Sequence, residues 1–199
     1  MRNTCFVKAT AAVLMCLMNN LPCSQAAPQA ARSRTVLTST PVAVPRPVNE
    51  EAETGRKAAL VTREALQSIY NEQNTLLAKK DSGGIWKRHA VDYKSVLPNG
   101  KTKTLAELRP GVNHILKRAK LIRANTTLQD IALEGNTVRV MVREAGTIVL
   151  AHPQTGRPLT IYTQALDRET WVKVRGQWRL KRTEAIRGTT TVNGKVVPE

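Results

Sequence analysis

The sequence has 199 residues, of which 41% are hydrophobic and 4% aromatic, a balance typical of one globular domain with extensions. Its 31 Lys and Arg residues outnumber 15 Asp and Glu residues, which gives a formal net charge of +16. Such a charge attracts polyanions, but the basic residues are spread along the chain and form no nucleic-acid-binding motif. Specific nucleic-acid binding is therefore disfavoured against a solvated basic surface.

Residues 1–26 have the pattern of a secretory signal peptide. Arg2 and Lys8 flank the start of the apolar run "ATAAVLMCLM", and the small residues "SQA" at 24–26 suit a cleavage site. The run is interrupted before the roughly 20 apolar residues that a membrane anchor needs, so the anchor is the less favoured alternative. We predict a secreted protein of the periplasm. Its mature chain would hold no cysteine, because Cys5, Cys16 and Cys23 all lie in this segment.

Residues 27–54 form a predicted flexible leader. The segment contains Pro28, Pro41, Pro45 and Pro47 among many Ala, Ser, Thr and Val residues, and it lacks hydrophobic periodicity. The folded domain is predicted over residues 55–188. Residues 189–199 would form a C-terminal hairpin or tail, with a hairpin closing on Asn193-Gly194 because Asn-Gly suits the positive φ angles of a tight turn.

The predicted domain begins with helices and ends with strands. Apolar residues at three- and four-residue steps predict a first helix from about residue 56 that ends before Gly83-Gly84. Thr104 and Glu107 have the spacing of a capping box, which opens a second helix that extends to about Lys120. Strands are predicted at 127–133, 137–151, 159–174 and 178–187. This order of elements indicates an α+β fold.

The chain contains, in this order, Asp92-Tyr93, Pro98-Asn99-Gly100, Thr104 to Glu107, Thr170-Trp171, Gly176 and Trp178-Arg179. Together with the order of the predicted segments, this series of motifs resembles the nuclear transport factor 2-like superfamily, in its SnoaL-like bacterial branch, over roughly residues 56–187. The resemblance implies N-terminal helices packed in the concave face of a strongly curved antiparallel β-sheet, which together form a cone with a pocket. It also implies that two copies can dimerise through the convex face of the sheet.

Two of the three tryptophans flank a predicted turn at Arg175-Gly176. With a two-residue loop there, Trp171 opposes Leu180, Lys173 opposes Trp178, Glu169 opposes Arg182 and Asp167 opposes Glu184. This face is apolar near the turn and charged away from it, as a pocket wall requires. The predicted ligand-binding wall consists of Trp171, Trp178, Leu180, Glu169 and Arg182. The alternative is that the tryptophans pack on the first helix while Glu169 and Arg182 form an exposed ion pair.

The predicted function is that of a module, without a cofactor, that binds a small apolar or amphipathic ligand or a partner. One alternative is a cofactor-independent isomerase, cyclase or dehydratase. The superfamily that the sequence resembles includes ketosteroid isomerase, which uses pocket carboxyl groups and a Tyr. Another alternative is a non-catalytic, dimerising interaction domain. For the enzyme alternative, which is the less favoured, the candidate catalytic residues are Asp92, Tyr93, Tyr162, Asp167 and Glu184.

The histidines and the most basic segment complete the set of candidates. His89, His114 and His152 show no metal-ligand spacing, so no metal site is predicted. The segment "ILKRAKLIR", residues 115–123, is predicted as a basic helix that packs on its own sheet. The alternative is that this helix contacts an anionic membrane surface with its apolar side.

Overall fold

A computed structural model of the chain describes residues 50–197. The predicted signal peptide, residues 1–26, and nearly all of the predicted leader lie outside the described residues and stay predictions. The first helix begins at Glu50, several residues before the predicted start and inside the predicted leader. Within the described part of the chain, no helix is both long enough and apolar enough to cross a membrane.

Two helices pack against one large sheet. The sheet is curved and unclosed, with the strand order β2-β1-β6-β5-β4-β3 and with β7 paired to β6. This confirms the predicted α+β cone. The elements are α1 (Glu50–Ala78), β1 (His89–Val96), β2 (Thr102–Thr104), α2 (Leu105–Arg118), β3 (Ala119–Glu134), β4 (Thr137–Ala151), β5 (Pro158–Val174), β6 (Gln177–Val192) and β7 (Lys195–Val197).

The sheet is mixed, so the prediction of a wholly antiparallel sheet was wrong in one place. Strands β3 to β6 follow one another as antiparallel hairpins, but β1 pairs with β6 in parallel. Parallel neighbours need a long connection, and α2 with β3, β4 and β5 supplies it between β1 and β6. The last hairpin forms at Asn193-Gly194, where both residues have positive φ angles of 49° and 79°.

The single basic helix predicted over residues 115–123 does not form. Helix α2 ends at Arg118, and β3 begins at Ala119. A bulge between Ala119 and Leu121 lets Ala119 and Ile122 both face the core although they are three residues apart. The inward residues of the bulged strand therefore have the three-residue spacing that is typical of a helix. This explains why a helix was predicted here. The membrane-contact alternative depended on that helix and loses its basis.

The predicted capping box at the start of α2 is present. Thr104 Oγ1 accepts a hydrogen bond from the Glu107 N–H at 3.4 Å, and Glu107 Oε2 accepts one from the Thr104 N–H at 2.7 Å. These contacts satisfy backbone donors that have no partner inside the helix.

Replacing Thr104 with Ala should lower the free energy of unfolding by about 1 kcal/mol, because the cap would be lost. Urea unfolding of the purified variant would measure this. Thr102→Ala is the matched control, since Thr102 is exposed on β2 and caps no helix. Equal losses from both substitutions would contradict the role of the cap.

The concave face of the sheet carries two separate apolar clusters. The first, the Trp171 cluster, packs against α1, and the second, the Ile148 cluster, packs mainly against α2. The Trp171 cluster contains Leu66, Ile69, Tyr70, Tyr93, Leu108, Leu128, Val138, Val140, Val142, Trp171 and Leu180. The Ile148 cluster contains Leu77, Ile85, Trp86, Val112, Ile115, Leu116, Ala119, Ile122, Ile148, Leu150, Leu159 and Ile161.

Candidate functional site

A band of buried polar side chains lies between the two apolar clusters. The alternation of β4 shows it: the inward positions are Val138, Val140, Val142, Glu144, Gly146, Ile148 and Leu150. Along both strands the inward residues change from apolar to polar and back to apolar. The inward positions of β5 are Leu159, Ile161, Thr163, Ala165, Asp167, Glu169 and Trp171. We call the band the polar belt, and it consists of Gln73, Ser95, Thr126, Glu144, Thr163, Asp167, Glu169 and Thr183, all of which are buried.

Glu169 is held by two aromatic donors. Its Oε2 atom accepts hydrogen bonds from the Tyr70 hydroxyl at 2.6 Å and from Trp171 Nε1 at 2.9 Å. The rings of Tyr70 and Trp171 meet edge to face, with centroids 5.7 Å apart. Burial raises the pKa of Glu169 to about 7, and the nearby charge of Glu144 acts in the same direction. Glu169 therefore exchanges its proton close to neutral pH.

Asp167 is buried two residues before Glu169 on the same face of β5. Burial raises its pKa to about 9, and the charges of Glu144 and Glu169 add to this effect. Its Oδ2 atom has no hydrogen-bond partner among residues 50–197. At neutral pH Asp167 therefore carries a proton that it can donate. The belt thus combines a protonated carboxyl group with one that ionises near pH 7, and such a difference is characteristic of acid–base sites.

Tyr93 and His89 border the belt from β1. Tyr93 is 1% exposed, and burial raises the pKa of its hydroxyl far above the ordinary value. The His89 ring lies edge-on to Tyr93 at 4.7 Å and tilted against Trp86 at 5.2 Å. Burial, together with the positive charge of Arg109, lowers the pKa of His89 to about 4. His89 is therefore a neutral core residue at physiological pH.

The predicted ligand-binding wall is only partly assembled. Trp171, Leu180 and Glu169 lie inside the cone, and Trp178 is half-buried at the margin of the Trp171 cluster. Arg182 lies on the outer face, where its Nε is 2.5 Å from Glu184 Oε1.

The predicted strand register was correct near the turn and wrong beyond it. Arg175-Gly176 is a two-residue turn with positive φ angles, and Trp171 opposes Leu180 as predicted. A bulge at Lys181 then shifts the pairing, so Glu169 opposes Thr183 and not Arg182. The same bulge makes Asp167 oppose Ala185 and not Glu184, and a second bulge, at Ile186, shifts the pairing again from Leu166 onward.

The structure separates the five candidate catalytic residues into two groups. Asp167 and Tyr93 lie at the belt. Asp92 is exposed and pairs with Lys181 at 3.3 Å, and Tyr162 is 39% exposed. Glu184 forms ion pairs with Arg168 and Arg182 on the outer face. Asp92, Tyr162 and Glu184 therefore cannot act together with the buried carboxyl groups.

Sequence reasoning missed Glu144 and the role of Tyr70. Glu144 had a readable signal, because it is the only charged residue at an inward position of the β4 alternation. Tyr70 lies in the first helix, and its contact with Glu169, 99 positions away, has no local signature in the sequence. Among residues 50–197, no group of three or more His, Cys, Asp or Glu side chains is arranged to hold a metal ion.

No family model matches the sequence, and no curated protein matches it. Among solved structures, the chain is similar to a scytalone dehydratase-like protein from Novosphingobium aromaticivorans DSM 12444, with a TM-score of 0.54 and 20% identity over 68% of this chain and 90% of that one. It is also similar to the hexachlorocyclohexane dehydrochlorinase LinA type 2, with a TM-score of 0.52 and 16% identity over 70% and 95%.

A third similar structure is a nuclear transport factor 2-like superfamily protein from Salmonella enterica serovar Typhimurium. Its TM-score is 0.50, with 14% identity over 63% of this chain and 89% of that one. Identities this low support a shared fold and not a shared activity. The assignment to the SnoaL-like branch stays a prediction. The chain has the fold of the nuclear transport factor 2-like superfamily, as the sequence motifs predicted.

Proposed function

We propose that the protein is exported to the periplasm and binds a small, largely apolar ligand at the polar belt inside its cone. The observation that carries this proposal is the position of the belt between two apolar clusters. A ligand pocket typically combines apolar walls with a few polar groups that fix the orientation of the ligand. The Trp171 and Ile148 clusters would supply the walls, and the belt would supply the polar groups.

The energetics of the belt support a functional role. A buried polar atom without a partner costs about 1–3 kcal/mol, and Asp167 Oδ2 is such an atom among the described residues. Both Asp167 and Glu169 are buried without an ion pair to a described Lys or Arg side chain. Carboxyl groups with pKa values perturbed by burial cluster at functional sites, although structural networks also contain them.

Small inward residues indicate where a ligand would lie. In the strand register, Glu144 faces Ala165, and Ala165 faces Gly188. In the next row, Ala124 faces Gly146. These positions bring the least side-chain volume of the inner face directly beside a carboxyl group. A ligand there could accept a hydrogen bond from protonated Asp167 through a hydroxyl or keto oxygen.

The experiment is ligand-observed NMR on the full chain, with cyclohexanol, cyclohexanone and phenol as probes. Asp167→Ala should weaken binding of any probe that binds by at least about fivefold, because the donor at the belt is removed. Asp92→Ala is the matched control, since Asp92 is exposed and paired with Lys181. Equal affinities for wild type and a folded Asp167→Ala variant, or no binding of any probe, would overturn the proposal.

The second candidate is a cofactor-independent isomerase or lyase, and the hydrogen bond of 2.6 Å between Tyr70 and Glu169 favours it. Glu169 would take a proton from carbon, and Asp167 would hydrogen-bond to the neighbouring oxygen. Two of the similar structures are described as a dehydrochlorinase and as dehydratase-like, which agrees with elimination chemistry. Deuterium exchange at the α carbon of bound cyclohexanone in heavy water, lost in Glu169→Gln, would support catalysis over binding alone.

The dimerising alternative has less support than the other two. An interaction face of this kind would be largely apolar, yet the outer face of the central strands is rich in Arg. These residues are Arg139, Arg143, Arg168, Arg182 and Arg187.

A further inference from the structure

The outer face of the sheet contains a groove that the proposed ligand site does not use. Its volume is about 280 Å³. The groove lies across β4, β5 and β6, and its lining includes Arg143, Gln164, Leu166, Arg187, Gly188 and Thr189.

The strand register places the two arginines on either side of the groove. Arg143 faces Leu166, and Leu166 faces Arg187, so the three residues form one row over three neighbouring strands. Neighbouring strands are about 4.8 Å apart, which puts the Cα atoms of the two arginines roughly 10 Å apart. Two side chains as long as Arg can converge over Leu166 from this distance.

The charges of these two arginines are not compensated. Arg139 pairs with Glu134 at 2.9 Å, while Arg168 and Arg182 both pair with Glu184. Neither Arg143 nor Arg187 forms an ion pair with any residue of the described range. The groove therefore concentrates positive charge on a face where neighbouring arginines are paired.

The rest of the lining adds neutral hydrogen-bonding groups. Gln164 and Thr189 face each other in the next row and offer an amide and a hydroxyl group. Gly188 has no side chain, and a Cβ atom there would lie 3.2 Å from the carbonyl oxygen of Gln164. The backbones of β5 and β6 thus approach closely at the base of the groove.

We propose that this groove binds a phosphate or sulfate group between Arg143 and Arg187. Guanidinium groups bind such oxyanions with two parallel hydrogen bonds, which give both strength and geometry. Gln164 and Thr189 would donate further hydrogen bonds to the remaining oxygens. The site lies on the face opposite to the polar belt, so it is independent of the proposed function.

The test is calorimetric titration of the full chain at fixed ionic strength with inorganic phosphate, sulfate and phenyl phosphate. Arg143→Gln and Arg187→Gln should each lower the affinity at least about tenfold, since each removes a charge-assisted pair. Arg139→Gln is the matched control on the same face and should change the affinity less than twofold. A preference for phenyl phosphate over free phosphate would identify an organic phosphate as the ligand, whereas equal affinities would identify the free anion.

Two results would overturn the proposal. One is an equal loss of affinity in Arg139→Gln and Arg187→Gln, which would indicate diffuse attraction by the whole basic surface. The other is the absence of binding by all three probes at millimolar concentration. The three arginines are exposed, so circular dichroism of the variants should match that of the wild type.

Discussion

Replacing Trp171 with Ala should lower the free energy of unfolding by about 3–5 kcal/mol, the cost typical of removing a buried Trp side chain. Trp171 is 0% exposed at the centre of its cluster and contacts the Tyr70 ring. The substitution also removes the Nε1 donor from Glu169 and leaves that carboxyl group with one aromatic donor fewer. Urea unfolding at pH 6.5, followed by circular dichroism, would measure the loss.

Trp178→Ala is the matched control for this prediction. Trp178 lies in the neighbouring strand of the same hairpin, but it is only partly buried, with Lys173 Nζ 5.7 Å from the centre of its ring. Its removal should cost less than half as much as the removal of Trp171. Losses of similar size would contradict the placement of Trp171 in the core and Trp178 at its margin.

Stability should fall as pH rises from 6.5 to 9, by about 2–4 kcal/mol. In the unfolded chain Asp167 loses its proton near the ordinary pKa of 3.8, whereas the folded protein retains it up to about pH 9. Between these values the folded state binds more protons, so the free energy of unfolding decreases by up to about 1.4 kcal/mol per pH unit for this group. Glu169 contributes with the same sign up to about pH 7.

Asp167→Asn should remove most of this pH dependence, because Asn keeps the shape of the protonated carboxyl group and has no proton to lose. The variant should exceed the wild type in stability at pH 9. Urea unfolding at a series of pH values from 6.5 upward avoids the range in which His89 acts with the opposite sign, between its ordinary pKa of 6.5 and about 4. Asp92→Asn is the control, and it should follow the wild-type curve. A steep decline in Asp167→Asn would assign the effect to other groups.

Local patterns predicted those parts of the fold that local energetics determine. The apolar spacing of α1, the capping box at Thr104 and the tight turn at Arg175-Gly176 each depend on residues a few positions apart. The bulges at Lys181 and Ile186 depend on how β6 fits β5 across the whole sheet. The parallel pairing of β1 with β6 joins segments about 90 residues apart, and no local pattern specifies it.

The candidate site was predictable where one hairpin builds it and unpredictable where distant elements meet. Glu169 and Trp171 share a strand and were found together. The partner that they share, Tyr70, comes from α1, and Glu144 comes from the strand on the other side. The sequence of one hairpin shows only the residues that this hairpin contributes to the site. The protonation of Asp167 and Glu169 depends on the residues that all the surrounding elements contribute.

The bulge at Lys181 also means that β6 could be one residue shorter without a change in the residues of its inner face. Leu180 and Thr183 both face the helices although they are three positions apart. The reason is the bulge, which leaves both Lys181 and Arg182 exposed on the other face. A chain without Lys181 would present the same inner residues on a ladder that is regular from the Arg175-Gly176 turn as far as the bulge at Ile186. A related sequence one residue shorter in this strand could therefore keep its interior unchanged, and the gap in an alignment of the two belongs at Lys181.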